Sequence, residues 1–303
     1  MAPTRLSLII VAHNMARELP RTIRSLSPAM QVRIQEQDYE IILVDNGSTE
    51  PFDEEACRRW FPGLRVHRVT APSPSPVAAI NHGLALARGD LIGVWIDGAR
   101  LASPGLLEGA LNASRLHARP VVGTVGFHLG PDLQRRSIHA GYSQKVEDDL
   151  LESVDWTTDG YRLFGISSFA GSSAGGWFLP IAESNALFLT RAQWQALGGY
   201  DERFEMPGGG LANLDVWKRA CSDPDSQLVI LLGEGTFHQI HGGAATNASR
   251  PMFPVFHEEY RKIRGESFEI PSMSPIFVGR VSPETLPKLA WSAQHAIESR
   301  SGP

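Results

Sequence analysis

Residues 91–101 read Leu-Ile-Gly-Val-Trp-Ile-Asp-Gly-Ala-Arg-Leu, an apolar run that stops abruptly on an acid, a glycine and a base. An uninterrupted apolar stretch this short, entered through Gly89-Asp90, fits a buried central strand better than an amphipathic helix. Asp97 then stands at the carboxyl end of that strand. In an open α/β sheet ligands collect outside those ends, where loops leave the strands and helix N-termini point inward. The competing reading is that Asp97 only opens a tight Asp-Gly turn.

Working outward, Leu6 to Ala12 and Tyr39 to Val44 are further buried-strand patterns, and Arg65 to Val69 is a shorter one. Between them lie helical patterns at residues 18–26, 53–60 and 76–87, the last with Val77, Ile80, Leu84 and Ala87 at near-helical spacing. This alternation predicts an α/β fold, a mostly parallel central sheet flanked by helices. The strand ends then carry His13-Asn14, Asp45-Asn46 and Asp97-Gly98, and parallel order places them along one rim. Further on, Trp177 to Thr190 reads as loop then strand, residues 214–221 as a helix behind Gly208-Gly209-Gly210, and residues 287–299 as a last helix.

Composition narrows the functional classes. A chain of 303 residues, 42% hydrophobic and 20% charged, can bury a large core. A formal net charge of -5 with no basic run gives no reason to expect nucleic acid or anionic membrane as partner. Cys57 and Cys221 make neither a disulfide framework nor a zinc site by themselves. The apolar run at residues 6–12 is too short to span a bilayer and lacks the flanks of a signal peptide, so the expected location is cytoplasmic. No G-x-G-x-x-G follows the first strand and no P-loop motif occurs, which disfavours dinucleotide binding and P-loop chemistry.

LSLIIVAHN at residues 6–14, YEIILVDNGSTE at 39–50 and AINHGLALARGDLIGVWIDGA at 79–99 together resemble the N-terminal half of the family 2 inverting glycosyltransferases of GT-A fold. The similarity covers roughly residues 5–105 and resumes at LGGYDERF and DVWKRA. It implies a nucleotide-sugar-binding half at residues 1–105, an acceptor-binding half at 106–245 and a lid with a C-terminal helical extension at 246–303. It also implies a nucleotide sugar as donor, a UDP-sugar foremost, a hydroxyl-bearing acceptor, and Mn2+ or Mg2+ as cofactor. Donor contacts are carried over to Ala12, His13, Asn14, Asp45, Asn81 and Asp97, with Asp45 on the base, since an ionised carboxylate accepts strongly from an imino N–H.

The chain departs from the family pattern in two places. Where a D-x-D metal motif is usual, it reads Asp97-Gly98-Ala99-Arg100; where an acidic pair supplying the base is usual, it reads Ala212-Asn213, with Asp215 two residues on. An amide cannot take a proton from a sugar hydroxyl at neutral pH. Glu183 and Asp215 are therefore the two candidates for the base. His238 or His241 stands where a histidine completes the metal site in such folds, and His241, followed by Gly242-Gly243, is the choice beside Asp97. Arg100 offers a second way to neutralise a leaving diphosphate, because a guanidinium binds two phosphate oxygens and is never neutral. The alternative function is an inactive nucleotide-sugar binding module; a nucleotidyltransferase is weaker, for want of its glycine-rich first loop. Residues 244–254 read as a lid, and Leu289 and Trp291 are expected to pack on the main domain or on a second copy in a homodimer.

Overall fold

The computed structural model describes residues 5–242 and 252–300; of the lid expected at 244–254, residues 244–251 lie outside them. The strands are β1 (Leu6–Ala12), β2 (Tyr39–Asp45), β3 (Arg65–Arg68), β4 (Leu91–Trp95), β5 (Arg100–Ala102), β6 (Pro120–Leu129), β7 (Ser167–Phe169), β8 (Ala186–Thr190), β9 (Gln227–His238) and β10 (Ile276–Gly279). The helices are α1 (Leu19–Ser25), α2 (Glu54–Trp60), α3 (Val77–Leu86), α4 (Leu106–Ala113), α5 (Gln134–His139), α6 (Gln144–Ser153), α7 (Arg191–Leu197), α8 (Ala212–Cys221), α9 (Phe253–Arg264) and α10 (Leu286–Arg300). Among the described residues no helix is long and apolar enough to cross a membrane.

One sheet organises the molecule, in the order β10-β9-β6-β8-β4-β1-β2-β3, with β5 paired to β9 and β7 to β6. The N-terminal strands β3, β2, β1 and β4 are parallel, as their alternation with helices requires, and β8 enters antiparallel to β4 and β6. The sheet is thus parallel in its first half and mixed beyond. Every residue of β1, β2 and β4 is buried, so their apolar runs serve two cores. Ile9 and Val11 face one with Ile42, Val44 and Ile80; Leu8, Ile10 and Ala12 face the other with Leu19, Ile23 and Leu106. Cys57 and Cys221 are buried free thiols.

Register lines the strand ends up. Ala12 pairs with Asp45, and Ile10 pairs with Trp95. Continued two residues, the second register brings Asp97 level with Ala12, and a Cβ on Gly98 would sit 3.2 Å from that of Ala12. Because Ala186 pairs with Trp95 in the antiparallel sense, the residues that precede β8, Glu183 among them, arrive at the same rim. Strands β6 and β9 are parallel with His128 opposite His238, and β5 sets Arg100 opposite His238 from the other side.

Candidate active site

The end of β2 is shaped by its own turn. Asp45 is buried, its Oδ1 accepts from the Ser48 N–H at 2.9 Å, and Arg68 approaches Oδ2 at 4.0 Å. Gly47 takes φ +77°, where a Cβ would lie 2.4 Å from Pro72, so the Asn-Gly pair is what lets residues 71–76 close over this turn. Asn46 Nδ2 donates to the Ser73 carbonyl at 2.8 Å and seals the same contact. His13 is exposed, its Nδ1 3.1 Å from the Asn46 carbonyl oxygen. Asn14 has a structural task. At φ 51° it accepts through Oδ1 from the Thr49 and Glu50 N–H groups at 2.8 and 3.2 Å, latching the loop after β2.

A second cluster gathers at Asp97. Arg100 Nε donates to Asp97 Oδ2 at 2.8 Å, and the same oxygen is 3.8 Å from His238 Nε2. His238 Nε2 is in turn 3.0 Å from His241 Nε2. Burial drives the His238 imidazole well below the usual range, with Arg100 adding to it, and burial lowers His241 as well. The approach to Asp97 is accordingly not an ion pair. Gln134 Oε1 accepts from His238 Nδ1 at 2.7 Å, which fixes the tautomer and leaves Nε2 facing Asp97. His128, pushed down to about 4 chiefly by burial, accepts at Nδ1 from the Gln134 N–H.

The donor atoms of Asp97, His238 and His241 lie within 4.8 Å of one another. Two neutral imidazoles and one carboxylate suit a borderline divalent ion better than a hard one such as Mg2+. Arg100 lies 11% exposed against the same carboxylate, and its Nη1 is buried with no hydrogen-bond partner among the described residues. One cation therefore already stands beside Ala99, the place where the second acid of a D-x-D would be.

The third group sits across the rim. Glu183 is half-buried and its Oε2 accepts from Asn213 Nδ2 at 2.6 Å; Asn213 Oδ1 accepts from the Tyr200 hydroxyl at 2.8 Å. The two base candidates part company here. Asp215 is 1% exposed and is enclosed by guanidinium groups: Arg219 Nε at 2.8 Å, and Arg264 at 2.6 and 2.8 Å. Both of its oxygens are spent on tying α8 to α9, so it is out of reach of an acceptor. Asn81 is likewise spent. Its amide accepts from the Tyr200 N–H at 2.9 Å and donates to the Tyr200 carbonyl at 2.9 Å, bracing the Gly198-Gly199 turn instead of facing the donor rim.

Sequence reading passed over several of these residues. His128 and Gln134 belong to no local motif, Tyr200 lies in LGGYDERF without being singled out there, and His238 ranked behind His241. Nor does any spacing announce Arg17, which donates to Glu18, Glu147 and Asp148 and to the Ile240 carbonyl, pinning the chain just before His241.

Comparison with known proteins bears on this rim. The model of Glycosyl transferase family 2 matches residues 7–169. Comparison with curated proteins finds no match. Among solved structures the chain is similar to S. aureus TarS, with TM-score 0.51 at 12% identity over 85% of this chain and 42% of that one. TarS 1-349 in complex with UDP-GlcNAc gives TM-score 0.51 at 13% identity, covering 86% of this chain and 65% of that one. This chain thus spans less than two thirds of either. At such identity the likeness establishes the GT-A fold, while the family model, matching more than half of the 303 residues, covers the strands whose ends carry Ala12, Asp45, Asp97 and His128. On that match the chain belongs to glycosyl transferase family 2.

Proposed function

We propose that the chain moves a sugar from a nucleotide sugar, a UDP-sugar, to a hydroxyl acceptor with inversion at the anomeric carbon. The observation that carries this is register: Asp45, Asp97 and Glu183 come from three strands and are brought to one rim. TarS is described in complex with UDP-GlcNAc and with UDP, which supports the choice of nucleotide. Asp45 takes the base edge beside Ala12 and His13. Residues 1–105 serve the donor, residues 106–245 the acceptor, and the remainder forms an extension.

In the reaction, Glu183 accepts the proton of the acceptor hydroxyl as that oxygen bonds to the anomeric carbon from the face opposite the diphosphate. The anomeric carbon–oxygen bond to the diphosphate breaks, and its electron pair leaves with the nucleoside diphosphate. Arg100 neutralises that developing charge through a fixed guanidinium. A divalent ion, held by Asp97, His238 and His241, would supply further charge neutralisation when bound.

The assignment is tested by comparing Glu183→Gln with Asp215→Asn. Loss of a general base costs a factor of about 100 to 10,000, and we expect that loss in Glu183→Gln with the fold intact. Asp215→Asn should instead lower thermal stability while each folded molecule keeps the parent rate. The reverse pattern would return Asp215 to the base position.

A further inference from the structure

Asn213 stands at the place on α8 where the family pattern has an acid, and the way its amide points is fixed by its neighbours. Nδ2 lies 2.6 Å from Glu183 Oε2 and 3.3 Å from the Ser184 carbonyl oxygen, and both of these partners only accept. The nitrogen must therefore face them, and Oδ1 is left to accept from the Tyr200 hydroxyl at 2.8 Å. Tyr200 is fully buried, and burial first, then the negative charge of Glu183, pushes its hydroxyl far above the ordinary range, so it remains a donor. The chain of bonds runs one way, from Tyr200 through Asn213 to Glu183. It ends on one carboxylate oxygen, and Oε1 makes no hydrogen bond within the described residues.

We propose that Asn213 is a positioning residue: locked by Tyr200, it donates to Oε2 of Glu183 and thereby turns Oε1 toward the acceptor hydroxyl. The carboxylate has moved from the helix to the segment before β8, and the helix position has become the donor that holds it. This rests on Glu183 as the base. The other ionic groups that act on Tyr200 are Asp215 and Arg219, which are satisfied by each other and by Arg264. They leave Asn213 as the direct hydrogen-bond partner of Glu183 among the described residues.

The test measures UDP binding by calorimetry, thermal stability, and the pH profile of UDP release from UDP-sugars for the parent, Asn213→Ala, Asn213→Asp, Tyr200→Phe and Glu183→Gln. In Asn213→Ala we expect UDP release to fall about 10- to 100-fold with UDP affinity within about twofold of the parent. Its acid limb should move to higher pH, because an N–H donated to a carboxylate favours the ionised form. Asn213→Asp should move that limb further up, since two carboxylates in contact share a proton. Tyr200→Phe should move it the same way by less, and keeps the test open if Asn213→Ala folds poorly. Profiles that superimpose on the parent's once folded fraction is corrected would overturn the positioning role alone, provided Glu183→Gln is inactive. Glu183→Gln turning over at the parent rate, or a parent that releases no UDP, would overturn the base assignment and the positioning role with it.

Discussion

At the scale of single residues, what the sequence made legible was whatever a strand end announces locally. Asp45 and Asp97 each close an apolar run, so their place on the rim follows from the pattern before any fold is known. Partnership was not legible. That Gln134 would set the His238 tautomer and that Asp215 would be consumed by Arg264 both depend on residues far apart in the chain and brought together by the fold. Two predictions belong here. Asp45→Ala should weaken UDP binding by about 1.5 to 3 kcal/mol, the worth of a charge-assisted hydrogen bond, and calorimetry showing parent affinity would take Asp45 out of the site. Arg100→Ala should lower transfer sharply even in excess chelator, where the parent keeps turning over. Activity abolished by chelator and indifferent to Arg100→Ala would give the whole task to the ion.

At the scale of elements, the helices and strands of the first hundred residues stand within a residue or two of their expected bounds, because periodicity and turn formers are local signals. Strand β9 was harder to read. Its pairing to β6 is interrupted between Ile230 and Gly235, opposite Gly123 and Val125, and Gly233 there takes φ +78°. The irregularity buries Glu234, whose carboxylate accepts from the Ser103 hydroxyl, from the Gly105 N–H at 3.1 Å and from the Tyr161 hydroxyl at 2.8 Å. A glutamate inside a strand reads as a solvated residue; here it ties β9 to the start of α4. Burial lifts this carboxyl to about 7. Between its unfolded value and that point the folded chain binds the extra proton, so this group makes stability fall as pH rises across that window, by about 3 kcal/mol in order of magnitude. Glu234→Gln carries no such proton, and its melting temperature should drop less between pH 4.5 and pH 7.5 than the parent's. Equal drops would mean that Glu234 enters the fold already ionised.

At the scale of the whole molecule, the sheet explains why a chain lacking two family acids still has a coherent site. Antiparallel entry of β8 beside β4 delivers Glu183 to the rim that the parallel strands built, and parallel pairing of β6 with β9 delivers the histidines. The N-terminal half of this plan was open to sequence because it repeats one βα pattern. The second half was not, because β8 enters between β4 and the earlier β6, and β9 returns to pair with β6 across more than a hundred residues of separation. We propose that this rebuilt rim turns over a nucleotide sugar, and does not merely hold one. The most direct measurement is release of nucleoside diphosphate when the purified chain is incubated with a panel of nucleotide sugars, read beside calorimetric binding of the same donors. We predict steady release from a UDP-sugar that also binds, faster once a hydroxyl acceptor is supplied. Tight binding of a UDP-sugar that is never consumed, with Glu183→Gln indistinguishable from the parent, would contradict the claim and leave a nucleotide-sugar binding module.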